Sequence, residues 1–237
     1  MSTFNRGEMT ATSTLFLRLD APFSAWRWLQ AGVFRGTSPV IPPSAAWGLA
    51  LNLAGIETRT ALDEVVTRID PGAPHLDIAV GLVRAGQKST LYQQLHSYPV
   101  GNSGEELQLR AKGAKYWIAP AKREVIVGAV FAVGVRGPAD IVDRISRGLD
   151  GSLDVERYGL PFAGDNQLLF SRIDLGDVMA RWFVPVAPGE ARAGSTRLTT
   201  MIDRKDSSRS SSILFAPSPH GPCPQEAWID IGPRPAP

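Results

Sequence analysis

The stretch Phe34–Gly55, FRGTSPVIPPSAAWGLALNLAG, sets the reading of the whole chain. A basic residue, small hydroxyls and three prolines run into a segment that is apolar on nearly every side. Pro42 and Pro43 suit a helix entrance, because proline in the first turn sacrifices no hydrogen bond. Gly55 suits the exit, and Gly48 is expected to let a neighbouring backbone approach. A helix that is apolar all round must be buried, so a sheet should flank it. Arg35, Thr37 and Ser38 stand just ahead of this helix. Unpaired amides and the helix dipole attract phosphate there, and a guanidinium adds a fork of donors. The alternative is that Thr37 and Ser38 shape a turn while Arg35 lies on the surface. Ser44 equally fits an ordinary helix start.

Outward from that helix, TLFLRL (14–19) reads as a first strand and TALDEVVTRI (60–69) as a second short helix. HLDIAVGLVR (75–84) alternates like a strand. Residues 85–113 look strand-poor and polar, a long projecting hairpin or loop. AKYWIAP and REVIVGAVFAVGV read as two strands joined by AKR, and residues 137–151 as a helix entered at Pro138. The order β-α-β-β-α predicts an α+β fold: a ferredoxin-like (RRM-like) domain over 14–150 with an extended thumb β-hairpin at about 87–113. A flexible tail (1–13) precedes it. Residues 151–237 read as a less regular C-terminal extension with a mobile loop at 203–212 and a proline-rich, structureless end.

The chain of 237 residues, 43% hydrophobic, can bury a real core. No run approaches the roughly 18 apolar residues of a membrane span. The polar N-terminus lacks the apolar run of a secretory signal, so cytoplasmic residence is expected. A single cysteine excludes a disulfide framework, and no phosphate-loop or zinc motif occurs, so neither cofactor nor metal is expected. The net charge is only +2, yet residues 84–123 hold seven cations against two anions, leaving about −3 for the remainder. One basic segment on a near-neutral chain points to a localised polyanion site. Within and beside it, Lys88, Tyr92, His96, Tyr98, Arg110, Lys112, Lys115 and Tyr116 interleave donors with rings, as single-stranded RNA binding requires. Trp26, Arg27 and Trp28 form the densest aromatic–cation cluster, a candidate platform for splayed bases. Arg18 on the first strand completes the RNA-binding candidates. Tryptophans also serve cores, and a basic hairpin can simply be solvated. Asp165 and Asn166 read as turn formers.

LFLRLDAPFSAWR, GVFRGTSPVIPPSAAWGLALNLAGIE and YGLPFAGDNQLLFSRID together resemble the CRISPR-associated protein 5 family, and within it the Dev-type branch of subtype I-B-like systems. The family pattern is carried by Arg35, Thr37, Pro42, Pro43, Ala45, Ala46, Gly48 and Leu49. The resemblance implies a non-catalytic subunit of a type I CRISPR Cascade surveillance complex. Such a subunit caps the 5′ handle of the crRNA and contacts the large subunit and the terminal repeated backbone subunit. Target DNA near the PAM is a further candidate partner, and no membrane is. One subtype of the family cuts precursor RNA without metal. A ribonuclease would need an acid–base set here, such as His96 with Tyr92 or Tyr98 and Lys88. An assembly adaptor touching RNA incidentally is the third reading.

Overall fold

The computed structural model describes residues 11–31, 34–60, 68–99, 116–203 and 207–233. Its first half comprises β1 (Thr12–Ser24), β2 (Arg27–Ala31), β3 (Phe34–Thr37), α1 (Pro43–Leu53), β4 (Leu76–Arg84), β5 (Gln87–Pro99), β6 (Tyr116–Pro138) and α2 (Ala139–Asp150). Its second half holds β7 (Arg172–Leu175), β8 (Ala180–Pro185), β9 (Thr196–Met201), β10 (Ser211–Gly221) and β11 (Ile229–Ile231). All eleven strands join one hydrogen-bonded sheet, so the protein is mixed α/β, with two helices among the described residues.

The C-terminal half of β6 runs between β1 and β4, antiparallel to both, and β7 pairs antiparallel with the outer edge of β1. The spatial order is therefore β7-β1-β6-β4, with α1 linking β1 to β4 by way of β2 and β3, and α2 following β6. Beyond β4 the sheet continues through β8, β10 and β9. Side chains alternate across these strands, as a pleated backbone demands. Ile78, Val80, Phe131 and Val133 join the main core under the helices. Ala79 and Ala132 face the other way, into a second cluster with Trp182, Val184 and Ala227. Both faces of the central strands are thus buried.

Three expectations about the strands change. AKR does not join two strands; Lys122 and Arg123 lie inside the continuous β6, paired with β5 on one edge and β3 on the other. Residues 85–113 are not strand-poor, because β5 occupies Gln87–Pro99. The described side chains of β5 are nearly all exposed, so this strand needs no apolar alternation to advertise it. β5 falls within the residues expected to form the thumb and pairs, as an arm, with the start of β6 beyond that range; residues 100–115, and most of the expected helix at 60–69, lie outside the described residues. The proline-rich end is not structureless either. β10 runs through Pro217 and Pro219, which lie beyond the residues paired with β9, where the strand has only β8 beside it. A missing amide is tolerated on such a free edge. β11 then pairs with the start of β4.

α1 ends as its sequence suggests. Gly55 has φ of 64°, its amide donates to the Asn52 carbonyl, and Ile56 N–H donates to that of Leu51. This is the 5→2 and 6→1 pattern that a left-handed glycine permits. From α2, Arg144 donates Nε to the Ala54 carbonyl at 2.9 Å, capping α1 from outside. The close backbone approach belongs to Gly148 of α2, where a Cβ would strike the Leu53 carbonyl, rather than to Gly48, whose missing Cβ faces open space.

Cys223 lies half-buried against the second cluster, and burial pushes its thiol up to about 12 despite the opposing influence of Arg136. The thiolate is the reactive form. At pH 8 the folded chain should therefore react with iodoacetamide roughly a thousandfold more slowly than a thiol titrating at its ordinary value. Equal rates in native buffer and in guanidinium, followed by mass spectrometry, would contradict this.

Candidate functional site

The edge of β6 changes partner in mid-strand. Its pairing with β1 ends at Ser24↔Ile126, and its parallel pairing with β3 covers only Phe34↔Lys122 and Arg35↔Arg123. Glu124 and Val125 are left without a backbone neighbour on that edge. A polar cleft of about 380 Å³ occupies the gap, lined by Ala25, Trp26, Arg27, Arg35, Gly36, Arg123, Glu124, Gly164 and Asp165.

Local hydrogen bonds hold the cleft open. Trp26 N–H donates to Thr37 Oγ1 at 2.8 Å, Ser38 N–H to the Trp26 carbonyl, and Thr37 N–H to Glu124 Oε2 at 3.1 Å. On the far wall, Ala25 N–H donates to the Ala163 carbonyl. Gly164 adopts φ of 87° where a Cβ would collide with the Ala25 carbonyl, so the wall needs glycine. Asp165 accepts from the Gln167 amide and pairs with Arg123 at 2.5 Å. Arg123 is thereby neutralised. Arg27 and Arg35 have no ion-pair partner among the described residues. Arg27 and Arg35 thus line a polar hollow without an ion pair of their own among the described residues, an arrangement suited to an anionic or acceptor-rich ligand.

The arm meets the cleft at its foot. Phe34, Lys122 and Tyr92 lie opposite one another on neighbouring strands, so they share a face. Tyr92 is 74% exposed, with Lys122 Nζ 5.6 Å from its ring centroid. Lys88 Nζ lies 3.4 Å from Glu124 and 5.8 Å from the ring centre of Trp28.

The candidates read from sequence separate into groups. Arg27 and Arg35 come together in the cleft, with Lys88 and Tyr92 beside it. Thr37 and Ser38 are 1% exposed, and both hydroxyls serve the turn, Ser38 Oγ donating to the Val40 carbonyl. Trp26 is 2% exposed against Phe131 and Phe170, leaving no ring face for a base. The helix mouth does not open to a phosphate: Val40, Ile41, Pro42 and Pro43 are buried. The prolines bring no amide, and the amides of Ala45 and Ala46 both donate to the Pro42 carbonyl. Ser44 lines a separate, mostly apolar cavity of about 130 Å³ beside Trp47 and Ile231. Arg18 pairs with Asp20 on β1, away from the cleft. The side chains of His96, Tyr98 and Tyr116, and all of Arg110, Lys112 and Lys115, lie outside the described residues. The sequence reading took Asp165 only as a turn former and did not single out Arg123 or Glu124 as site residues. GD at 164–165 was the available signal, since it marks a turn, but its partner lies far away in the chain.

No set of three or more His, Cys, Asp or Glu side chains among the described residues could hold a metal. None of the described helices is long and apolar enough to cross a membrane.

Comparison with known proteins places this geometry in a lineage. None of the curated proteins matches the chain. A solved chain titled "CRISPR RNA-guided surveillance complex" is similar to it over 91% of this chain and 92% of that one, at 18% identity and a TM-score of 0.57. Another, titled "Crystal structure of Cas protein", covers 89% and 95% at 14% identity and a TM-score of 0.45. The first likeness shows a shared fold. The family model described as "CRISPR-associated protein (Cas_Cas5)" matches residues 14–150, more than half of the sequence and the segment that builds the β1-β6-β4 core, the arm and the arginine-bearing β2 and β3. The chain belongs to the CRISPR-associated protein 5 family.

Proposed function

We propose that this protein is a non-catalytic, cytoplasmic subunit of a type I CRISPR surveillance complex, gripping the 5′ handle of the guide RNA. The observation that carries the reading is the pair Arg27 and Arg35, uncompensated in a polar cleft at the foot of a basic arm. The RNA would lie against the arginines of the cleft, while Tyr92 and Lys122 offer a ring and a cation to the next nucleotide. The order β7-β1-β6-β4 with its two helices supports a ferredoxin-like core whose β5–β6 arm is the thumb. Val155, Tyr158, Leu160 and Phe162 are exposed on one connecting segment. An apolar stretch of that kind suits contact with the large subunit or the terminal backbone subunit.

The test uses the purified full chain in EDTA with a labelled repeat-derived handle and a scrambled RNA of equal length. Tighter binding to the handle, with both RNAs intact, is the expected result. Equal affinities would defeat the handle assignment, and cleavage would restore the ribonuclease reading.

A further inference from the structure

Bare phosphate does not explain the whole cleft, because carboxylates stand among its arginines. Asp165 is committed to Arg123 and to the Gln167 amide. Glu124 is different. Its Oε2 accepts from Thr37 N–H and lies near Lys88 Nζ, while Oε1 receives no hydrogen bond among the described residues. A backbone phosphate seated here would meet a carboxylate oxygen, which repels it. The charged side chains of the cleft without a bonded partner among the described residues are therefore those of Arg27 and Arg35, with Glu124 Oε1 as a free acceptor. The hollow of about 380 Å³ falls in the range of small-ligand sites rather than that of a lone ion.

We propose that this cleft reads a guanine base in the bound RNA, with Arg27 or Arg35 forked onto O6 and N7 and Glu124 accepting from the N1–H and N2–H edge. Guanine suits the set because it joins two neighbouring acceptors on one edge to two neighbouring donors on the next. Arginine is the usual partner of O6 and N7, and unstacked bases in single strands expose both edges. Adenine and cytosine present an amino donor where the arginine fork needs an acceptor, and uracil has one N–H donor. The inference rests on the RNA-binding reading above.

The experiment measures fluorescence anisotropy of the full chain with labelled octauridylate and with the same oligomer carrying one central guanosine. Guanosine should tighten binding about tenfold, and adenosine in its place should not. Inosine, lacking the 2-amino group, and 7-deazaguanosine, lacking N7, should each lose most of the gain without any change to the protein. Glu124→Gln keeps an acceptor for Thr37 N–H; it should abolish the guanosine gain while octauridylate binds more tightly, a negative charge having been removed. A guanosine gain that survives Glu124→Gln, or one matched by adenosine, would overturn the assignment. If guanosine brings no gain while Arg27→Ala still weakens octauridylate, RNA binding stands and base reading falls. If no oligomer binds better than to the arginine-deficient chain, both fall.

Discussion

Gly148→Ala should lower the melting temperature by about 6–12 °C. The α2 glycine lies directly against the Leu53 carbonyl of α1, and a methyl group has nowhere to go but into that backbone oxygen. A flexible side chain could turn aside; a carbonyl fixed by its own helix cannot. The helices must therefore separate, opening the packing of Leu53 and Ile145, both fully buried. They would also loosen Arg144 from the Ala54 carbonyl. Overpacking typically costs about 1–3 kcal/mol, and the rigidity of this obstacle puts the effect near the top, about 3 kcal/mol. For a chain of this size each kcal/mol moves the midpoint by roughly 2–4 °C. Alanine is otherwise the better helix former, by about 1 kcal/mol, so propensity alone predicts the opposite sign. Thermal denaturation followed by circular dichroism decides, and an unchanged or raised midpoint would refute the close approach.

The second large effect concerns binding rather than stability. The double variant Arg27→Ala/Arg35→Ala should bind handle RNA about a hundredfold more weakly, each charge-assisted hydrogen bond contributing about 1.5 kcal/mol. The slope of log affinity against log salt should shrink by about 0.7, the value for one phosphate contact removed from a single strand, because the other arginine lies on a base. A change of about 1.4 would put both arginines on phosphates and count against base reading. The melting temperature should barely move, since neither side chain has an ion pair among the described residues. Anisotropy titrations at several salt concentrations, beside the melting curve, measure all three quantities. Full affinity in a folded double variant would remove the cleft from the RNA path.

The sequence announced α1 clearly, because proline entry, all-round apolarity and a glycine exit each arise from local physics. It announced β1, β4 and α2 for the same reason. It was misleading where partners are distant. AKR has the look of a turn, yet its residues are held straight by β5 and β3, neither of which advertises itself by alternation. APSPHG looks structureless until β8 supplies one paired edge and leaves the other for the prolines. The site behaved likewise. Arg35 was legible as a cation beside hydroxyls, but Thr37 and Ser38 spend those hydroxyls on the turn, and Trp26 spends its ring on the core. Asp165 acquires its second role only through Arg123, forty-two positions earlier in the chain. Composition located the basic region, but not which of its charges would be answered.

β6 is both a wall of the core and a side of the arm, and its pleat is interrupted once, at Gly128, whose φ is 70°. Ile126 before that glycine and Ala129, Phe131 and Val133 after it join the same core, so the pleat keeps one parity on each side of Gly128 rather than across the whole strand. Inserting a single residue between Lys122 and Arg123 would leave the core end in register and turn the arm's row from Tyr116 to Lys122 over to the opposite face. Length variation among descendants of this sequence should accordingly accrue in pairs along the arm, or be absorbed by a bulge. Selection on reach and selection on orientation thus become a single constraint.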